Sequence, residues 1–286
     1  MGVSLRFLIV DGYPKVSREE FDSVGMTQAG HLYAVMLIQN LHDAEYEILY
    51  TSDPGEEIPE KEALNKYNGI LWPGCNLTVY NTEDERVIKM LDLVTRAYEV
   101  GVPQFGSCWA AQIAVCAAGG KVASNPKGKE MGIARKIHLT TDGQNHPMFE
   151  GKPKVFDGFI SHDDIITELP EGAVNLATND FSEVQAVAVQ HKQGIFWAVQ
   201  YHPEYNLHEM ARLIVARQEK LIQGDYFRSL EEVDHYTELL EIIAADPSRK
   251  DLRWQLGIDD DLLLDSVRQC EFVNWLQSVV IPMAEI

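Results

Sequence analysis

Three side chains could carry chemistry together in this chain: Cys108, His202 and Glu204. Cys108 follows a short extended run, Val102 to Phe105, and a Gly at 106. It precedes an Ala-rich helical segment (Ala110, Ala111, Ile113, Ala114, Val115, Ala117, Ala118) that ends at Gly119-Gly120. Strand, sharp turn and helix in that order form a nucleophile elbow, here with sulfur in place of a serine oxygen. Gly106 lets the chain turn tightly, while the new helix aims free N–H groups and its positive dipole end at the sulfur. Both effects favour the thiolate, the reactive form of cysteine. Taken alone, the stretch also suits an ordinary buried Cys at a strand–helix junction.

Far downstream, Gly194 to Gln200 reads as another apolar strand, ending in Tyr201-His202-Pro203-Glu204. A thiol nucleophile needs a base to take its proton and return it to the leaving amine, and His suits that task near neutral pH. The base in turn needs a carboxylate to hold its tautomer and orientation. His202 and Glu204 supply both from one strand end, with Pro203 stiffening the backbone between them. An isolated His after a strand also suits a capping or half-exposed ring. With the Cys elbow upstream, the three read as a triad.

These residues carry a family resemblance. Gly106-Ser107-Cys108-Trp109-Ala110-Ala111-Gln112 resembles the G-x-C-x-G-x-Q signature of class I, triad-type glutamine amidotransferase domains, and Val199 to Glu204 resembles that family's V-Q-x-H-P-E. The resemblance runs from about Leu5 to about Gly224 and is nearest to stand-alone proteins similar to the glutaminase domain of GMP synthetase. It implies Gln112 as a pocket residue. It also implies that Ser161, His162 and Asp164 bind substrate, because Ile160 to Asp164 resembles the family's S-H-x-D; loop polarity at a strand end is the alternative. Acyl transfer needs two N–H donors for the oxyanion. Trp109, the residue after the nucleophile, supplies one. By resemblance Gly74 supplies the other, although Pro73-Gly74-Cys75 stands where the family has Gly-Gly-Pro. Ala110 in place of a family Gly is a second departure, and it adds a methyl group beside the elbow.

Elements must bring these groups together. Leu5 to Val10, Tyr46 to Tyr50 and Asn68 to Trp72 are apolar runs suited to buried parallel strands. Asp11 to Thr27 is long for a strand–helix connection, so it is expected either to rim the site or to form a dimer contact. Gln28 to Leu41 and Thr82 to Val100 have helical periodicity, the latter starting with a capping-box pattern at Thr82 to Glu85. After Gly120, β-prone runs around 131–140, 154–161, 174–178, 184–189 and 195–200 are separated by Gly-containing turns. Leu207 to Ile222 closes the domain as an amphipathic helix. The expected fold is α/β: a flavodoxin-like, mostly parallel sheet flanked by helices, with an added antiparallel section. The chain divides into an amidotransferase-like domain, 1–224, and an acidic helical extension, 225–286, with helices over Ser229 to Ala245, Pro247 to Gln255 and Asp259 to Leu276.

Composition bounds the function. With 24 Lys and Arg against 44 Asp and Glu, the net charge of −20 argues against a nucleic-acid partner. No run is apolar enough to span a membrane, and Met1 to Val10 lacks a signal-peptide pattern. The four cysteines (Cys75, Cys108, Cys116, Cys270) have neither disulfide nor zinc spacing, which suits a reduced cytoplasm. Cys75 is expected to line its turn, with a second reactive thiol as the alternative. The remaining histidines find no metal set, and the reaction calls for no cofactor.

The expected activity is cleavage of a γ-glutamyl amide through a γ-glutamyl thioester, giving glutamate and ammonia from glutamine. A synthetase subunit taking up that ammonia would be its partner. The first alternative is a free-standing hydrolase of γ-glutamyl amines or peptides, and the second is a non-catalytic binding protein on the same scaffold. The extension is left with three roles: covering the site, forming a homodimer, or docking a partner.

Overall fold

The computed structural model describes residues 4–285. Strands β1 (Arg6–Asp11), β2 (Glu45–Tyr50), β3 (Gly69–Trp72) and β4 (Gln104–Ser107) alternate with helices α1 (Lys15–Val24), α2 (Ala29–Asn40), α3 (Lys61–Leu64) and α4 (Glu85–Val100). Helix α5 (Trp109–Ala117) follows β4. Then come β5 (Lys121–Ser124), β6 (Glu130–Leu139), α6 (Thr141–Asn145), β7 (Val155–His162), β8 (Asp164–Glu168), β9 (Ala173–Thr178), β10 (Ala186–His191) and β11 (Gly194–Val199). Helices α7 (Leu207–Ala216), α8 (Gln218–Gln223) and α9 (Leu230–Ala245) complete the middle of the chain. The last stretch is α10 (Lys250–Leu256), α11 (Asp260–Leu263), α12 (Asp265–Arg268), α13 (Cys270–Trp275), a π-helical turn over Leu276–Val280, and α14 (Ile281–Ala284).

Nine strands form one sheet in the order β2-β1-β3-β4-β11-β10-β9-β6-β7. The first five are mutually parallel. From β11 onward every pairing is antiparallel, so the antiparallel section continues the parallel sheet edge to edge. The pair β5-β8 stands apart as a small second sheet. Chemistry follows from the middle of this order. Strands β3, β4 and β11 are neighbours, with Trp72 opposite Gly106 and Ser107 opposite Val199. The segments leaving their carboxyl ends, which begin at Pro73, Cys108 and Gln200, therefore emerge side by side, where open α/β sheets bind ligands.

Alternation along the strands builds the two faces. Phe7 and Ile9 pack on one side with Tyr33, Phe105, Phe272 and Trp275. Leu8 and Val10 pack on the other with Trp72, Met90, Ile113 and Phe196. The rings of Phe272 and Trp275 lie 5.4 Å and 5.7 Å from that of Phe105, so the C-terminal helices cover the central strand directly. A third cluster joins Phe21, Tyr205, Leu213 and Leu240 above the site.

Several sequence expectations need correction. Asp11 to Thr27 is largely helix: α1 begins after Pro14, which has no N–H to lose at a helix start, and ends at Gly25 in the left-handed conformation. Helix α4 is capped by Asp84, whose carboxylate accepts the Arg86 N–H, and not by Thr82. The Leu207 to Ile222 helix breaks at Arg217, which leaves helical geometry while its guanidinium reaches Glu20. Asp259 to Leu276 is not one helix, because Asp side chains favour caps over helix interiors and Leu264 is extended. Strands β5 and β8 lie outside the expected β-prone runs, because four or five residues each carry little periodicity. Strand β11 stops at Val199, so His202 and Glu204 lie on the segment beyond it. Among the described residues no helix is long and apolar enough to cross a membrane.

Candidate active site

Cys108 sits at the β4–α5 junction with φ 56° and ψ −106°, a strained backbone for a residue with a side chain. Its N–H donates to the Val199 carbonyl at 2.7 Å, which ties the elbow to the end of β11. Gly106 is obligatory there. A Cβ on it would press into the Ala110 methyl and the Trp72 carbonyl. The Ala110 methyl therefore occupies the space that Gly106 leaves open. Cys108 is 6% exposed and lines a cavity of about 720 Å³, and its Sγ lies 3.4 Å from the Ser161 carbonyl.

His202 lines the same cavity. Its backbone N–H donates to the Phe159 carbonyl at 2.7 Å, and its ring stacks on Tyr205 with centroids 4.1 Å apart. Nδ1 lies 2.7 Å from Glu204 Oε1, and that oxygen also accepts the Ser107 hydroxyl at 2.9 Å. Burial alone would drive the imidazole neutral. The Glu204 charge and the neighbouring Cys108 sulfur outweigh it and raise the ring to about 10. Cys108 and His202 thus line one cavity, with the Glu204 carboxylate on the far side of the ring raising its affinity for a proton.

Gly74 and Trp109 flank the sulfur. A Cβ on Gly74 would lie 2.9 Å from His202 Cε1 and 3.5 Å from Cys108 Cβ, so the turn after β3 passes directly over the pair. Trp109 is the first residue of α5, whose N–H has no acceptor within the helix.

The remaining expected residues line the cavity too. Gln112 Nε2 donates to the Asp164 carbonyl at 3.2 Å, one turn of helix beyond Cys108. Burial raises the Asp164 carboxyl above its usual range, and this carboxyl accepts the Tyr80 hydroxyl at 2.9 Å. His162 has acceptors on both sides: Nδ1 is 2.8 Å from the Asp164 carbonyl and Nε2 is 2.9 Å from Glu130. Glu130 also accepts Asn179 at 2.7 Å and Gln185 at 2.9 Å, which locks the ring in the wall. Sequence reasoning missed Tyr13, Tyr80, Glu130 and Tyr205. The only signal for Tyr13 was its place in an overlong connection, and Glu130 carried none because its partners are scattered from 162 to 185.

Sheet order, elbow and the His-Pro-Glu segment define a class I amidotransferase fold, and the chain belongs to that family. The family described as glutamine amidotransferase class-I matches residues 29–220. The chain is 32% identical over 287 residues to the γ-glutamyl-L-1-hydroxyisopropylamide hydrolase of a Pseudomonas species, covering 98% of this chain and 95% of that one. It is 36% identical over 158 residues to the glutamine-hydrolysing GMP synthase of Aquifex aeolicus, covering 55% of this chain but only 28% of that protein. The solved structure of a glutamine amidotransferase from Thermotoga maritima superimposes with a TM-score of 0.67 at 18% identity, covering 98% of this chain and 99% of that one. The protein is accordingly an enzyme of the amidotransferase and amidohydrolase class.

Proposed function

We propose that this enzyme hydrolyses γ-glutamyl amides through a γ-glutamyl thioester on Cys108. The reading is supported by the His202–Glu204 pair facing the cavity that Cys108 also lines. The sulfur attacks the amide carbon, forming a C–S bond while the C–N bond breaks. His202 gives its proton to the departing amine, then takes one from the water that attacks the thioester, releasing glutamate. Glu204 orients the ring and supports its charge. Backbone N–H groups of Gly74 and Trp109 hold the oxyanion. Gln112, Ser161, His162 and Asp164 shape the end that receives the glutamyl group.

The amine is taken to be an organic one rather than ammonia alone. Two observations favour this: the likeness to the Pseudomonas hydrolase extends across the C-terminal helices, and the cavity of about 720 Å³ falls in the range that holds a drug-sized ligand. Delivery of ammonia to a separate synthetase subunit is the second reading, favoured by the likeness to GMP synthase. Glutamate release from glutamine and from γ-glutamyl alkylamides, with wild type and Cys108→Ala, separates them. Faster turnover of the alkylamide supports the first reading, whereas strong preference for glutamine supports the second. No release from either, together with no labelling of Cys108 by a glutamine-analogue electrophile, overturns both.

A further inference from the structure

The segment Tyr201-His202-Pro203-Glu204 is gripped on both sides of His202 by helices from the C-terminal end of the chain. Arg268, 7% exposed at the end of α12, donates from Nε to the Pro203 carbonyl at 3.3 Å and from Nη1 to the Leu262 carbonyl at 2.8 Å. Its third arm pairs with Asp265. Glu271 on α13 is fully buried and accepts the Tyr201 hydroxyl. Its charge is met by the buried Lys152, 2.9 Å away, whose Nζ also donates to the Val267 carbonyl at 2.7 Å. Buried ion pairs rarely add net stability over an apolar replacement, yet they fix geometry where their hydrogen bonds are satisfied.

What they fix here is one backbone stretch. Strand β11 stops at Val199, so sheet pairing does not hold residues 201–204. Beyond the strand, orientation of the ring rests on the His202–Phe159 backbone bond, the Tyr205 stack and these two grips. Glu204 adds a further need. Its Oε1 serves both His202 and Ser107, while Oε2 is buried with no hydrogen-bond partner among the described residues. A carboxylate held on one oxygen depends on its backbone for aim. Arg268 supplies that aim through the adjacent Pro203 carbonyl, and its positive charge acts on Glu204 as well.

We propose that Arg268 and Glu271 are positioning residues for the His202–Glu204 pair, so that the C-terminal helices form part of the catalytic apparatus and do more than cover the core. This rests on the reading of His202 and Glu204 as base and orienting carboxylate. Neither Arg268 nor Glu271 is assigned contact with substrate; both act through residues 201 and 203.

A cavity of about 370 Å³ is lined by Glu204, Arg268 and Gln269, so a small guanidinium supplied in solution tests the role of the Arg268 head group. The full-length variants Arg268→Ala, Arg268→Lys, Glu271→Gln, His202→Ala and Cys108→Ala are assayed for kcat and KM on a γ-glutamyl alkylamide, with melting temperatures recorded. Misplacement of a reacting group by about 1 Å costs on the order of 100-fold, so kcat of Arg268→Ala is expected to fall by about that factor with KM changed little. Methylguanidinium is expected to restore part of the kcat of Arg268→Ala without raising its melting temperature. Arg268→Lys, which keeps the charge and one donor, is expected to fall between Ala and wild type. If Arg268→Ala proves too unstable to purify, Tyr201→Phe, which removes only the hydroxyl facing Glu271, is expected to lower kcat in the same sense. Full kcat in folded Arg268→Ala or Tyr201→Phe, alongside inactive His202→Ala, overturns the positioning role and leaves the triad reading intact. Activity surviving in Cys108→Ala and His202→Ala overturns the triad reading instead.

Discussion

The Nδ1 of His202 lies 2.7 Å from Oε1 of Glu204, with both side chains shut away from solvent. At that separation in a buried site, the carboxylate fixes which ring nitrogen carries the proton and leaves Nε2 for the sulfur side. Replacing the carboxylate by an amide of the same shape removes the charge and leaves the ring free to take the wrong tautomer. Glu204→Gln is therefore expected to lose at least about 100-fold in kcat with little change in KM, read from steady-state glutamate release. Circular dichroism should show the fold retained.

Gly74 offers a sharper geometric test. Any side chain there meets the His202 ring, since the first carbon would stand 2.9 Å from Cε1. Gly74→Ala is expected to lower kcat by about 100-fold, comparable to loss of an oxyanion donor, while the thermal midpoint moves little. Gly106→Ala should behave differently. Its methyl would collide with Ala110 and the Trp72 backbone, so destabilisation of at least about 1–3 kcal/mol is expected in urea unfolding.

Proton linkage follows from the state of His202. The unfolded ring titrates near 6.5 and the folded one near 10, so the folded state binds the proton more tightly. The resulting stabilisation is fully present below about 6.5 and is lost as pH rises through about 10. Unfolding of wild type and His202→Gln across that interval checks it: the gap between the two should narrow toward the alkaline end. Activity should decline over the same alkaline range, where the imidazolium needed by the leaving amine disappears.

Thiol chemistry distinguishes the four cysteines. Burial holds the Cys75 thiol well above its usual range, raises Cys116 to about 11 and pushes Cys270 up as well. Brief treatment with iodoacetamide at neutral pH is expected to alkylate Cys108 first, as mapped by peptide mass. His202→Ala should slow that labelling at least about tenfold, because the base that favours thiolate is gone. Labelling of Cys75 ahead of Cys108 would contradict this assignment of roles.

Much of the molecule was legible in the chain itself. Local rules suffice for the Gly106-Ser107-Cys108 elbow, the apolar runs of β1, β3 and β11, the helical periodicity of α2 and the amphipathic helix α4, because each is specified by near neighbours. The His-Pro-Glu segment also announced its chemistry, since residue types and spacing limit what a nucleophilic cysteine can use. Short strands β5 and β8, the helix inside residues 11–27 and the broken helices after Asp259 escaped. For two of these a distant partner contributes: Arg18 of α1 is held by Asp53, and β5 by β8; after Asp259 the breaks come from local capping by Asp side chains.

Residue identity alone singled out the candidate groups: a thiol at a forced turn, an imidazole and a carboxylate. Only tertiary structure decided that the ends of β3, β4 and β11 lie together, that Glu130 locks His162 in the wall, and that Arg268 and Glu271 reach back to the segment carrying His202. The reason is physical. Backbone preference acts over a few residues, whereas placing Cys108 against His202 depends on strand order and on buried charges whose partners are chosen by packing.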